Sequence, residues 1–564
     1  MAQPSTTTIQ PPPPPRSFLV HAKLVGGLTL VSRFVGLARE VVSGHYLGTG
    51  LVATAFSVAF TIPNLFRKLF GEGALSAAFI PLYAQANKND SKENANAFAA
   101  ASVNLLAIML IAITLVGEAV IFGILRFNHA LLPDRVMTLH FVAIMLPYVL
   151  LICGGAFMAG ILQVHRRFGA PAAAPIILNL CHIAVLLIGA KVLHLKSAAS
   201  EAETIAIQTT LAYWLSFFVL VAGVLQVAVL LPGLRAAGFR FDLKAKIWTA
   251  PVRKMLLLSV PVAMGAGVLQ LSVLLDRGIS YFLMQTLDDA GNLVTHFTLL
   301  GQTLSLPLEL GAPRRLELAQ FLYQFPLGVF AIALATAIFP GLSADALDKD
   351  RDQFRGTLRQ GIEATIWEGL PASLGLILVA DAAARFLFQH GQIDGHDAAL
   401  IAQSTRWYAG AIWAFSMLQI INRAYYAIHD TLTPLVMSVV NIVLNLAIEV
   451  PLLWPMGEAA MAVGTLVSFA IQAIVMLWLL DRRLGGLGLG ALVVPTLKML
   501  LATAIMGAVC WAVMRSPIYP DGASRLAWAT QLMVVMSVGA AVYCGTCYLL
   551  GVEVMRQFLP RRWR

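Results

Sequence analysis

Residues 97–124 read AFAAASVNLLAIMLIAITLVGEAVIFGI, and this stretch decides the fold. One ionisable side chain, Glu118, stands in it. At about 1.5 Å per residue, a helix of this length outreaches a bilayer hydrocarbon core of about 30 Å. The run is continuous rather than alternating, which selects a helix over a barrel strand. Similar stretches recur from near Val25 to Leu550, and the 564 residues are 59% hydrophobic and 12% charged, against about 25% charged in soluble domains. The excess apolar surface must face lipid. Fourteen spans are expected, at 20–46, 50–83, 97–124, 137–163, 170–192, 205–231, 254–285, 316–345, 361–380, 398–421, 433–454, 459–480, 491–514 and 524–551. The expected fold class is an all-α polytopic membrane protein.

Loop charges orient the chain. With the N-terminus inside, inner segments hold 23 Lys and Arg residues and outer segments 9, which by the positive-inside bias puts both termini in the cytoplasm. The net charge of +10 does not indicate nucleic acid, because the cations sit in short loops between apolar stretches. The five cysteines, Cys153, Cys181, Cys510, Cys544 and Cys547, lie in or beside apolar helices and read as packing residues. Residues 1–16, with Pro11 to Pro15 in a row, read as a disordered or extended tail, and no cleavable signal peptide is visible. No Walker loop, nucleophile elbow or HExxH is present, so the reading is a transporter rather than an enzyme.

An internal repeat is faint. Pro63 and Pro326 are 263 residues apart, as are Pro171 and Pro434; Pro81 and Pro340 are 259 apart. These offsets suggest two six-helix halves of the same orientation. The expected organisation is the tail at 1–16, an N-lobe at 17–231, a cytoplasmic linker at 232–253, a C-lobe at 254–484, and two further spans at 485–564. Gly26, Gly27, Gly36, Gly44, Pro147, Gly265 and Gly267 punctuate spans and permit close packing or bending.

Charges inside spans carry the functional signal, since each costs about 2.5–3.5 kcal/mol at a helix centre. The first span holds Arg33, Arg39 and Glu40; the second holds Arg67, Lys68 and Glu72. Lys68 and Glu72 are spaced i,i+4 and can neutralise each other. Arg67 and Lys68 lie near a span end, where snorkelling is the alternative. Asp276-Arg277 in the seventh span is either an ion pair that locks packing or a substrate contact. Surplus inward-facing arginine suits a phosphate-bearing substrate, because the guanidinium fork matches phosphate oxygens. His45, His182 and His429 show no metal-ligand spacing, and no cofactor is expected.

The stretches SRFVGLARE at 32–40, AFSVAFTIPNLFR at 55–67 and GEGALSAAFIP at 71–81 resemble the MurJ/MviN family of lipid II flippases. Supporting matches are Asn179 after Pro171 and Pro175, Asp276-Arg277, and the segments FPLGVF at 325–330 and FPGLS at 339–343. The resemblance implies fourteen helices of the multidrug/oligosaccharidyl-lipid/polysaccharide exporter superfamily. It implies two lobes enclosing a cationic cavity, and spans 13 and 14 forming a lipid-tail groove. It implies export of lipid II, or a related pyrophosphate lipid, from the inner to the outer leaflet of a bacterial inner membrane by alternating access. Membrane lipids and cell-wall synthesis enzymes are the expected partners, and membrane potential or a monovalent ion the compatible driving force. Arg33, Arg39 and Arg67 match the family's cavity arginines; Arg277 is the expected C-lobe cation; Glu40, Lys68, Glu72, Asp276 and Asn179 are supporting residues. Two positions depart from the family: Thr54 replaces an acid, and Phe321 replaces an arginine five residues before Pro326, with Arg314-Arg315 one to two turns earlier. Two alternatives stand beside this reading: a flippase for another polyprenyl-linked glycan, which Phe321 favours, and a transport-inactive scaffold of cell-wall enzymes.

Overall fold

A computed structural model describes residues 16–71, 74–89, 91–299, 301–329, 331–347, 351–517 and 519–558. The proline-rich tail to residue 15 and the expected Lys68 partner Glu72 lie outside the described residues.

Helices dominate. The first is α1 (Arg16–Leu47), followed by α2 (Leu51–Phe66), a π-helical turn Arg67–Gly71, and α3 (Ala74–Asn89). Pro63 has no N–H to donate and its ring crowds the turn before it, and the π-helical turn follows four residues later. Next come α4 (Lys92–Phe127), α5 (Pro133–Met145), α6 (Tyr148–Val164), α7 (Gly169–Val192), α8 (Glu201–Ala236) and α9 (Ala250–Phe282). The pair α5 and α6 bends by 41° at Leu146-Pro147, where a proline again lacks the N–H.

The helical chain is interrupted after α9 by two short hairpins. β1 (Thr286–Leu287) pairs antiparallel with β2 (Leu293–Val294), and β3 (His296–Leu299) with β4 (Gln302–Ser305). The first hairpin turns on Asp288, whose carboxylate accepts from the Ala290 and Asn292 amides, and on Gly291 at φ +80°. Gly301, also at φ +80°, turns the second.

The remaining helices are α10 (Ala312–Val329), α11 (Ala331–Leu347), α12 (Arg351–Phe388), α13 (Gly395–Gly410), α14 (Ile412–Ala427), α15 (Leu432–Met456), α16 (Ala459–Arg483), α17 (Gly490–Met514), α18 (Arg525–Leu549) and α19 (Glu553–Phe558). Among the described residues nine helices are long and apolar enough to cross a membrane, ten if the bent α5–α6 pair is one span. The difference from the expected fourteen has a physical source. Arg33, Arg39 and Glu40 lower the hydropathy of α1, the expected second and tenth spans are broken into shorter helices, and the expected eighth span contains residue 330, outside the described residues. The chain is a multi-pass membrane protein. Long rows of exposed Leu, Val and Phe, such as Leu115, Val116 and Phe122 on α4, are its lipid-facing surface.

The chain forms two compact units. The first comprises residues up to Val42, Ile62–Arg126 and Val142–Ala263. In it α8 packs against α6 and α7, and α6 against α3. Gly223 lets the Tyr148 ring approach so closely that a Cβ there would meet it at 2.6 Å. The second unit comprises Ser43–Thr61, Phe127–Phe141 and the chain from Met264 onward. Here α12 is the hub, touching α11, α13, α14, α17 and α18, while α15 lies along α16. Its core holds Leu358, Ile362, Ile420, Ile421, Tyr425 and Met476. A second apolar cluster ties α17 and α18 to α12, with Cys510 and Cys547 buried in it as packing groups.

Candidate anion-binding site

In the first unit Arg33 and Arg39 of α1 and Arg67 of the π-helical turn are half-buried. Arg39 pairs with the adjacent Glu40, which is buried. At 100° per residue Glu40 lies on nearly the same helical face as Arg33, yet the adjacent Arg39 takes this carboxylate. Arg33 has no ion-pair or hydrogen-bond partner among the described residues. Gly36, midway between the two arginines, brings Asn179 of α7 against α1: a Cβ at Gly36 would lie 3.6 Å from Asn179 Nδ2. The charges of Arg67 and Arg39 both act at the Tyr148 hydroxyl. That hydroxyl donates to Gln226 Oε1 at 3.1 Å, and Gln226 Nε2 donates to the Ala174 carbonyl at 2.9 Å. Arg39, Arg67 and Asn179 thus belong to one neighbourhood around α1, with Tyr148 a member that the sequence did not single out. Lys68 is exposed.

Arg277 belongs to the second unit. Asp276 and Arg277 turn apart. Arg277 Nη1 donates to the Pro313 carbonyl at 2.7 Å and Nη2 lies 3.7 Å from Glu317 Oε1. Asp276 Oδ1 accepts from Asn445 Nδ2 at 3.3 Å, and the same amide nitrogen is 3.1 Å from Glu449 Oε2. Glu449 is fully buried and its Oε1 has no hydrogen-bond partner among the described residues. Asp276 and Arg277 do not pair with each other: Arg277 makes an interhelical ion pair with Glu317, and Asp276 joins a separate cluster with Asn445. A small cavity of about 30 Å³ borders both Asp276 and Arg277, with Ser280, Gln320 and Tyr408 as its other polar lining groups. Asn445 and Glu449 are spaced i,i+4 on α15, a signal visible in the sequence but not distinctive there.

Arg314 and Arg315 are both buried, not solvated at a membrane surface. Arg314 Nη1 donates to Glu317 Oε2 at 2.6 Å, and its Nη2 to Ser43 Oγ at 3.3 Å. Arg315 Nε lies 3.0 Å from Glu458 Oε2, its Nη1 3.0 Å from Asp397 Oδ1 and 2.9 Å from the Leu310 carbonyl. Asp397 Oδ2 also accepts from Thr49 Oγ1 at 2.7 Å. Arg315 is therefore spent on Asp397 and the buried Glu458, whereas Arg314 shares a carboxylate with Arg277.

A family model described as lipid II flippase MurJ matches residues 44–520. The chain belongs to the MurJ family. It is similar to a probable lipid II flippase MurJ of Rhizobium tropici, at 29% identity over 548 residues covering 95% of this chain and 96% of the relative. It is also similar to the lipid II flippase MurJ of Burkholderia cenocepacia, at 29% identity over 474 residues covering 81% and 83%. A solved lipid II flippase MurJ in an inward closed conformation superposes with a TM-score of 0.72 at 21% identity, over 94% of this chain and 100% of that one. An inward-facing multidrug-resistance MATE transporter superposes with a TM-score of 0.62 at 13% identity, over 83% and 98%. The chain has the fold these two structures share.

Against the MurJ family pattern, the two departures acquire structural roles. Thr54 is fully buried and its Oγ1 donates to the Thr49 carbonyl at 3.0 Å, closing the turn between α1 and α2. Phe321 is half-buried, and the guanidinium of α10 that meets Arg277 at a common carboxylate is that of Arg314, seven residues earlier.

Proposed function

We propose that this chain is a flippase that moves lipid II, the undecaprenyl-pyrophosphate-linked peptidoglycan precursor, from the inner to the outer leaflet of a bacterial inner membrane by alternating access. The observation that carries the reading is Arg33: a half-buried guanidinium in a membrane helix with no partner among the described residues, one and two turns from Gly36 and Arg39. Such a charge persists where it serves a ligand, and the fork of a guanidinium fits pyrophosphate oxygens. Membership of the MurJ family supports the same substrate. In this reading the chain crosses the membrane fourteen times with both termini in the cytoplasm, in two six-helix lobes, 17–231 and 254–484, joined by a linker at 232–253. The α17–α18 pair carries the lipid tail. The Asp276, Asn445 and Glu449 cluster, with two carboxylates sharing one amide, supports coupling to a monovalent cation or to membrane potential. Cell-wall synthesis enzymes are its partners.

A second reading, a flippase for another polyprenyl-linked glycan, is favoured by Phe321 where the family carries arginine. Complementation separates the two. The chain rescues growth of a bacterium depleted of its own lipid II flippase under the first reading and fails to, at normal membrane levels, under the second.

A further inference from the structure

Glu317 is unusual within residues 311–319: from Gly311 to Ala319 every other residue is buried, while its own side chain is 27% exposed. Its guanidinium partners lie behind it, with the Arg277 side chain 12% and the Arg314 side chain 6% exposed. The Glu317 side chain is therefore more accessible than that of either arginine. The two partners come from different helices, α9 and α10, and converge on different oxygens, Arg277 on Oε1 and Arg314 on Oε2. Both are braced from behind, Arg277 by the Pro313 carbonyl and Arg314 by Ser43 Oγ. A third donor completes the set, since Ser57 of α2 donates its hydroxyl to Glu317 Oε2. Two guanidiniums and a hydroxyl aimed at one water-facing anion have the donor chemistry of a phosphate site. Among these three charged side chains, one positive charge is left over.

We propose that the Glu317 carboxylate is an internal stand-in for a phosphate group: it occupies a site formed by Arg277, Arg314 and Ser57 that binds a pyrophosphate-bearing ligand, and displacement of Glu317 by that ligand releases the Ser57 tie between α2 and α10. The proposal deepens the reading of the chain as a pyrophosphate-lipid flippase, and it assigns Arg314 the ligand role that Phe321 cannot fill. A dianionic group carries more charge and more acceptor oxygens than one carboxylate, so it wins the site when it arrives, while Glu317 keeps the site closed when it is empty. The coupling is then direct, because the same oxygen that holds Arg314 also holds α2.

The test uses the full-length protein in lipid nanodiscs with two probes, inorganic pyrophosphate and farnesyl pyrophosphate. Glu317→Gln keeps the shape and removes the competing charge, so it binds either probe about tenfold more tightly than the native protein. Its unfolding temperature in the absence of anion falls and is raised by probe more than that of the native protein. Adding Arg277→Ala to Glu317→Gln abolishes the gain. Tighter binding of both probes to Glu317→Gln marks a site for the phosphate groups themselves, and a gain confined to farnesyl pyrophosphate marks a site that reads the lipid as well; either supports the proposal. Release of the tie is read in a variant with the five native cysteines replaced and Ser57→Cys added: farnesyl pyrophosphate speeds alkylation of the otherwise buried thiol. Unchanged or weaker probe binding by Glu317→Gln overturns the proposed site, and an alkylation rate indifferent to probe overturns the release. These outcomes are separable from the substrate reading. A chain that rescues lipid II export with no gain in Glu317→Gln loses only this proposal, and one that fails rescue while Glu317→Gln gains keeps the anion site without lipid II.

Discussion

His45 and His390, 345 residues apart in the chain, share a hydrogen bond between their Nδ1 atoms at 2.9 Å. The tautomers follow from the surroundings. His390 Nε2 lies 2.9 Å from the Leu387 carbonyl, which only accepts, so Nε2 carries the hydrogen and Nδ1 of the neutral ring accepts. His45 Nδ1 is then the donor. A proton added to His390 must go to Nδ1, where it faces another N–H and breaks the contact. Beside the rings, the Gln392 amide donates to the His45 carbonyl at 3.1 Å, and Gly391, at φ +66°, sits so close that a Cβ would meet that carbonyl at 2.2 Å. The loop at 389–394 thus clasps the end of α1.

This clasp is expected to loosen in acid. Burial first, then the Arg525 charge and His45, hold His390 below the usual imidazole range against the opposing Leu387 carbonyl. A histidine with a depressed native value contributes stability above its unfolded value of about 6.5 and loses it as pH falls through the native one. Hydrogen exchange across residues 389–393, corrected for intrinsic rate, should accelerate between about pH 7.5 and about pH 5 in the native protein, and His390→Gln should flatten the profile. Protection that is the same at both values contradicts the tautomer assignment.

Arg315 illustrates the cost of breaking a buried ion cluster. Replacing it with alanine leaves Asp397 and Glu458 facing each other without a cation, both at α-helix starts in the second unit. Removing one partner from such a cluster costs about 3–5 kcal/mol. Arg315→Ala should lower the unfolding midpoint accordingly, and adding Glu458→Gln should restore part of it. Equal stability of Arg315→Ala and native protein argues that the cluster is solvated.

Close approach of α15 and α16 rests on Gly464. A Cβ there would lie 2.9 Å from Glu449 Cβ and 3.0 Å from Asn445 Oδ1. Gly464→Ala must push the two helices apart, a strain of about 1–3 kcal/mol, and shift the two residues that hold Asp276. A thermal-unfolding series should show this loss, while Gly375→Ala, inside α12 with nothing within 4 Å of its Cβ, gains stability from helix propensity. A gain in Gly464→Ala equal to that of Gly375→Ala means that propensity and not packing governs the effect.

For Arg39, loss of one charge-assisted phosphate contact is worth about 1.5–3 kcal/mol, a ten- to hundredfold drop in affinity at about 1.4 kcal/mol per decade. Arg39→Ala should therefore bind a labelled pyrophosphate lipid that much more weakly while inserting normally. Arg39→Lys should recover part of the binding, because an ammonium lacks the planar fork. Full binding by Arg39→Ala places the residue in a purely structural role with Glu40.

What the sequence made legible follows from the range of each interaction. The stretch at 97–124 sits within α4 because continuous apolarity is a local property. Pro147 stood among the residues that permit close packing or bending, and it lies at the 41° break. The breaks at residues 67–71 and around Ala411 were not, because a π-helical turn or a kink within an apolar run leaves the composition unchanged. The hairpins at 286–305 announced themselves only through Gly291 and Gly301, two weak turn signals in a short loop. Among the site residues, the arginines were visible as charges out of place. Their partners were not. The meeting of Arg277 with Glu317, and of Glu317 with Ser57, depends on how α9, α10 and α2 pack, and periodicity within any one helix does not encode it. Arg314 and Arg315 show the same limit: adjacent in sequence, they serve different carboxylates.

The central claim is that half-buried arginine on α1 serves a pyrophosphate lipid. Reconstitution in liposomes with fluorescent lipid II, scored by protease- or quencher-accessible signal, measures it most directly. The native protein is predicted to move lipid II across the bilayer, and Arg33→Ala, inserted to the same level, to do so at least about tenfold more slowly. Native protein that leaves the lipid where it was placed, or Arg33→Ala that moves it at the native rate, contradicts the account.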